Sequence, residues 1–401
     1  VSNDIYELEM GAGDGSPLCI MQGHFNRRSA KDGPAFNCET DGLAAHPFLA
    51  EVATCGDDRT LRIWDLTLKQ MVRIRMLKHS GKSCAYSPDG SLIAVGLSNG
   101  GWVVVDAQGL ETVAFARGKA DGGGEHARKE AISDVKFSPC GLKMAVASHD
   151  NFVDLYDTQT WQRYGECRGH SSYITHIDWC KDGQGSTASD MLRSTCGAYE
   201  LLYWDATKKG HGKQIRHAST VKDASWDTQT CIFGWEVMGI WPPGRDGTDI
   251  NAVARSNRAY RARGDDGAWR RFLVTADDFG TVRLFHFPCI QKRAKFKEHR
   301  GHSSHVTNAA WSFDDMYVLS TGGGENSLMQ WAFIPEGVVS GDVAAAPPPA
   351  DRGDGSAQGG GAGMLTSSAA GGPGGGGRGR PSSSGGGRGV YSTAAPPVGR
   401  R

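Results

Sequence analysis

The residues of this chain best suited to chemistry are its histidines and cysteines, 13 and 10 among 401. A metal centre or an activated nucleophile needs them at set spacings, and those spacings are missing. Cys19, Cys38, Cys55, Cys84, Cys140, Cys167, Cys180, Cys196, Cys231 and Cys289 form no C-x-x-C pair and no framework with histidines. His299, His302 and His305 recur at every third residue, which invites zinc, but the segment has no helical pattern. His302 also follows Gly301, just as His24 follows Gly23 and His170 follows Gly169. A histidine recurring at one place is expected to tie strands together. It would bond a turn Asp, a Ser or Thr and a Trp, so that buried polar atoms are satisfied. Gly81, Lys82 and Ser83 resemble the end of a phosphate loop, yet Met76 occupies the place of its first glycine. There is no G-x-S-x-G elbow and no carboxylate pair outside turn positions. The expectation is no catalysis, no cofactor and no metal.

Charge offers more. Arg255, Arg258, Arg261, Arg263, Arg270 and Arg271 fall in one long link between two strand patterns. Lys292, Arg293, Lys295, Lys297 and Arg300 follow in the next strand and loop. If both segments emerge on one rim, they make a basic face that draws an acidic partner by steering and charge pairing. Asp265 and Asp266 interleave the first cluster, so a simply solvated loop is the competing reading. The whole chain is balanced, at 44 basic and 44 acidic residues, and offers no global field. Arg378, Arg380, Arg388, Arg400 and Arg401 stand among glycines with Tyr391 nearby, which predicts a flexible tether rather than an RNA-binding arm.

These residues sit on a repeat. Strand patterns close on Trp64-Asp65, Val105-Asp106, Tyr156-Asp157, Trp204-Asp205, Phe285-His286 and Gln330-Trp331. The spacings, about 41, 51, 48, 81 and 46 residues, are those of WD40 blades. His24, Trp64, Asp65, His170, Trp204, Asp205, His302 and Trp331 are the expected blade-holding residues. Asp57, Asp58, Asp277 and Asp278 are expected in turns, where the Asp side chain bonds its own backbone. The interval of about 81 is close to two periods, so a degenerate blade is expected at roughly 215–242. The predicted fold is an all-β propeller of seven four-stranded blades over 23–335, or eight if upstream sequence completes another. Residues 1–22 are expected to hold a partial blade, with the strand at 18–22 pairing with the last blade to close the ring. From 336 to 401 the Gly, Ala, Ser and Pro content predicts a disordered tail, since it buries too little apolar surface to offset chain entropy.

More specific strings lie in the third quarter. They are Gly239-Ile240-Trp241-Pro242, then Asp246-Gly247-Thr248-Asp249-Ile250-Asn251-Ala252-Val253, then Thr275-Ala276-Asp277-Asp278-Phe279-Gly280-Thr281-Val282. Gly301-His302-Ser303-Ser304-His305-Val306-Thr307-Asn308 and Ser327-Leu328-Met329-Gln330-Trp331 follow. With Gly42-Leu43-Ala44-Ala45-His46-Pro47 and Thr54-Cys55-Gly56-Asp57-Asp58, this stretch resembles the C-terminal propeller of the echinoderm microtubule-associated protein-like family. The resemblance covers about residues 1–335. It implies a non-catalytic scaffold that binds tubulin or the microtubule lattice and docks other microtubule- or axoneme-associated proteins. The basic rim would then be its tubulin contact, in the cytoplasm and cytoskeleton or in a ciliary axoneme. The alternative is an RNA-associated or ubiquitin-ligase adaptor propeller carrying an Arg-Gly nucleic-acid arm. Members of the family carry a first propeller and an upstream hydrophobic motif that this sequence does not show. The chain starts at Val1 inside a strand pattern, which reads as a fragment. Scattered cysteines within strand patterns read as reduced thiols, and no apolar run is long enough to span a bilayer.

Overall fold

The computed structural model describes residues 5–7, 18–21, 23–24, 38–181, 189–217, 219, 221–242, 244, 246–261 and 269–334. The tail expected to be disordered lies outside the described residues.

Alternating apolar and polar residues form short strands, and the Asp- or Gly-containing turns between them leave room only for antiparallel neighbours. The first two, β1 (Ile5–Glu7) and β2 (Leu18–Met21), pair with each other. Six blades follow. The first holds β3 (Thr40–Ala45), β4 (Glu51–Gly56), β5 (Thr60–Asp65) and β6 (Gln70–Met76). The second holds β7 (Gly81–Tyr86), β8 (Leu92–Leu97), β9 (Trp102–Asp106) and β10 (Thr112–Ala116). The third holds β11 (Ile132–Phe137), β12 (Lys143–Ser148), β13 (Phe152–Asp157) and β14 (Arg163–Arg168). The fourth holds β15 (Ile174–Trp179), β16 (Met191–Cys196), β17 (Leu201–Asp205) and the stub β18 (Lys213–Gln214). The fifth holds β19 (Ile250–Arg255), the side strand β20 (Tyr260–Arg261), β21 (Trp269–Asp277), β22 (Thr281–Phe287) and β23 (Phe296–Arg300). The sixth has three strands, β24 (Val306–Trp311), β25 (Tyr317–Gly322) and β26 (Leu328–Ala332).

The innermost strands β3, β7, β11, β15, β19 and β24 line a central channel of about 1050 Å³. Each of them breaks register at its second residue, where one extra residue forms a bulge. The bulged positions, Asp41, Lys82, Ser133, Thr175, Asn251 and Thr307, all line the channel. Six identical bulges therefore set a ring of polar side chains near one channel mouth. Neighbouring blades are joined by apolar packing; Ala53, Ile63, Ile93 and Val95 share one buried cluster across the first two. Trp179 and Trp311 end their strands and donate Nε1–H to the carbonyls of Lys136 (3.1 Å) and Ala254 (3.0 Å).

Two expectations are corrected. Among the described residues the blades number six rather than seven, because the described part of the segment expected as a degenerate blade forms no sheet. Gln229 adopts a left-handed conformation (φ 57°), which interrupts any strand, and residues Trp235–Ile240 coil into a 3-10 helix. The segment instead wedges between β15 and β19. Asp227 N–H donates to Trp179 O (2.9 Å), Thr230 Oγ1 to Ile177 O (3.0 Å), and Arg255 N–H to Thr228 O (3.2 Å). Rising residue numbers here face falling ones on β15, so the wedge runs against its neighbour. The second correction concerns ring closure. The strand at 18–21 pairs with β1 instead of β26, and the sixth blade keeps three strands among the described residues.

Candidate functional site

The blade-holding residues build three copies of one relay. In the fourth blade Trp204 Nε1–H donates to Ser194 Oγ (2.7 Å), Ser194 Oγ meets His170 Nε2 (2.6 Å), and His170 Nδ1 meets Glu200 Oε2 (3.2 Å). The first blade repeats it with Trp64, Thr54, His24 and Asp58 at 2.7, 2.7 and 2.9 Å. The sixth uses Trp331, Ser320, His302 and Glu325 at 2.8, 2.7 and 2.6 Å. The carboxylate can only accept, so the neutral imidazole turns Nδ1–H to it and Nε2 accepts the hydroxyl proton, while the hydroxyl oxygen accepts from the indole. Burial lowers the pKa of His24 and His170 and keeps both imidazoles neutral. Burial alone would raise Asp58, but the bonds from His24 and Thr60 and the charge of Arg62 bring it down to about 2. Glu200 also lies at about 2, held first by the backbone N–H of Ser171.

A closed relay of this kind joins strands and leaves no hydroxyl free as a nucleophile. An Asp in the turn was expected in the relay, and Asp58 fills that place; the glutamates are the part that sequence reading missed. Glu200 and Glu325 carried no signal, because the acid follows the hydroxyl at varying distance (Thr54 to Asp58, Ser194 to Glu200). Asp65 and Asp205 do hold turns: Asp65 accepts from Thr67 N–H (2.7 Å) and Asp205 from Thr207 N–H (2.9 Å). Asp277 does the same for Phe279 and Thr281 (3.0 and 2.9 Å).

The basic residues divide by position. In an antiparallel meander the first and third connections leave at one end and the second at the other. The link between β19 and β21 and the turn between β22 and β23 therefore share an end, opposite the carboxylates of the relays. Lys292, Arg293 and Lys295 are exposed in that turn, and Arg258 is half-buried in the link. Lys297 and Arg300 are exposed on the outer strand β23, and Arg300 pairs with Glu298 (3.0 Å). Arg270 and Arg271 are half-buried at the start of β21, and Arg271 lines the channel. Arg255 is committed internally: it donates to the carbonyls of Trp226 (2.6 Å) and Asp227 (3.0 Å) and stacks over Phe287. Only the backbone of Arg261 is described, and Arg263 lies outside the described residues. Phe48, Leu49, Leu68, Leu142, Ile290 and Met316 are exposed in connections at the same end as Lys292.

Behind the wedge lies a buried ion pair. Arg193 Nη2 meets Asp178 Oδ2 at 2.9 Å, and its guanidinium sits 4.4 Å from the Trp226 ring centroid. Asp178 also accepts from the N–H groups of Thr228 (3.0 Å) and Gln229 (2.9 Å), fixing the segment that replaces a blade.

A ring of antiparallel meanders, three of them stapled by a Trp–hydroxyl–His–carboxylate relay, defines a WD40-type β-propeller. Comparison with known families narrows this. Residues 41–333 match the family described as "Echinoderm microtubule-associated protein second beta-propeller". The chain belongs to the echinoderm microtubule-associated protein-like family. It is 44% identical over 294 residues to echinoderm microtubule-associated protein-like 2 of Rattus norvegicus, covering 72% of this chain and 41% of that protein. It is 38% identical over 319 residues to the protein-like 4 member of Xenopus laevis, covering 79% and 31%. The protein-like 3 member of Mus musculus is 37% identical over 321 residues, covering 78% and 33%. The chain thus spans well under half the length of these relatives.

Proposed function

We propose that this propeller is a non-catalytic, microtubule-associated scaffold, and that its basic end meets the acidic tubulin surface. Family membership carries the reading, since the relatives are named as microtubule-associated proteins. Lys292, Arg293, Lys295 and Lys297, all exposed, supply the positive charge, with Ile290 exposed beside them. Charge pairing would set the rate and orientation of docking, and the apolar residues of the same end would add contact area. A stiff ring with short loops suits simultaneous docking of other cytoskeletal proteins. A cytoskeletal location, in the cytoplasm or the ciliary axoneme, follows from this reading.

Co-sedimentation of the full chain with microtubules over a salt series tests it, beside a variant carrying Lys292, Arg293, Lys295 and Lys297 as Glu. Arg255 stays intact because it holds the wedge. The expected result is pelleting that weakens with salt and drops at least tenfold in affinity in the variant. Equal pelleting of variant and parent would refute the docking face. No pelleting of the parent at low salt would refute lattice binding by this propeller.

A further inference from the structure

The relay of the fourth blade differs from its two siblings at one position, and the difference brings a thiol to the histidine. Position 56 of the first blade and position 322 of the sixth, each the last residue of a second strand, are glycines. A side chain at Gly322 would collide with Glu325 and with Nδ1 of His302. The fourth blade carries Cys196 at this place, fully buried. Its Sγ–H donates to Glu200 Oε2 at 3.2 Å, the same oxygen that His170 Nδ1 meets at 3.2 Å. The relay needs no thiol, as the other two copies show, so Cys196 is unexplained by the strand-holding role.

Nδ1 of His170, Sγ of Cys196 and a carboxylate oxygen of Glu200 all lie within 4.8 Å of one another. Tetrahedral zinc with one nitrogen, one sulfur and one oxygen places such atoms about 3.3–3.6 Å apart. We propose that His170, Cys196 and Glu200 form a Zn²⁺ site, with the fourth position open to solvent beside the carboxylate. Binding releases the thiol proton and moves the imidazole proton from Nδ1 to Nε2, where Ser194 Oγ accepts it. Ser194, itself bonded by Trp204, then orients the ligand histidine, the arrangement that metal-bound histidines commonly have. Ser171 N–H (2.9 Å) and Oγ (2.9 Å) hold Glu200 in place. Glu200 keeps a third of its side chain exposed while His170 is 1% exposed, so an ion enters past the carboxylate. Among the described residues the other group with this geometry, Glu39, Asp41 and Asp57, is occupied by Lys82, at 2.8 Å from Asp41 and 2.9 Å from Asp57. Sequence spacing could not find the site, because His170 sits in the connection before β15 while Cys196 ends β16.

The test is direct titration of the chelator-treated full chain with Zn²⁺, and with Co²⁺ as a spectroscopic substitute. One equivalent is expected, with a thiolate-to-cobalt charge-transfer band. Cys196→Ser keeps a donor to Glu200 and the fold, and is expected to lose the band and at least tenfold in affinity. Cys140→Ser, away from the site, is expected to change neither. Circular dichroism confirms that both variants are folded; should Cys196→Ser fail to fold, Cys196→Ala takes its place. Absence of stoichiometric binding in the parent overturns the proposal, as does unchanged binding or an unchanged cobalt band in the folded Cys196 variant. The outcome does not depend on microtubule binding.

Discussion

Removing one hydroxyl gives the sharpest check on the blade relay. Ser194 is fully buried, and its oxygen is the shared partner of Trp204 Nε1 and His170 Nε2. Ser194→Ala therefore breaks two hydrogen bonds at 2.7 and 2.6 Å and leaves an indole donor with no water to turn to, since Trp204 is also fully buried. Each of the two buried groups left without its partner costs about 1–3 kcal/mol, partly offset by relaxation of the imidazole. The expected loss is about 2–4 kcal/mol. Ser194→Thr supplies the control, because Thr54 fills the same role in the first blade; it is expected to cost less than about 1 kcal/mol. Urea unfolding followed by tryptophan fluorescence reads both values. A Ser194→Ala cost below about 0.5 kcal/mol, the scatter of surface changes, would refute the claim that the relay holds the blade.

Two further outcomes follow from buried charge. Arg193→Ala strips Asp178 of its cation while Thr228 and Gln229 still bind it; loss of a buried partner costs about 3–5 kcal/mol, and hydrogen exchange should rise first in the segment 226–232. A loss under 1 kcal/mol with unchanged exchange would show that the wedge is held by other contacts. The second outcome concerns His176, which burial, aided by the charge of Lys136, pushes down to about 4. A histidine with a depressed folded pKa stabilises the fold above its unfolded value near 6.5, and that contribution is lost as pH falls from 6.5 towards 4. Relative to His176→Gln, the parent should lose up to about 3 kcal/mol over that window. Parallel stability curves for the two proteins between pH 7 and 4 would contradict this.

Much of the propeller is legible because its signals are local. Val103, Val104 and Val105 or Met144, Ala145 and Val146 mark strands wherever they occur, and the turn aspartates Asp65 and Asp205 work through their own neighbours. The glycine–histidine pairs at 23–24, 169–170 and 301–302 marked the relay histidines for the same reason. The acids were harder to read, since connections of different length carry Asp58, Glu200 and Glu325 to the same place. The basic cluster was legible as composition but not as surface: Arg255 and Lys292 look alike in sequence, yet one spends its guanidinium on two backbone carbonyls and the other is exposed.

By itself, the sequence determined the repeat, the identity of the strands and the relay histidines and tryptophans, because periodicity and turn chemistry act over a few residues. Tertiary structure decided the rest. It set six blades rather than seven, because Asp178 and Arg193 capture a segment lying about fifty residues further on, as the Asp178–Gln229 bond shows. It also brought Cys196, at the end of β16, to His170 and Glu200 in the connections flanking β15 and β17, since the pairing of those strands fixes which strand ends meet.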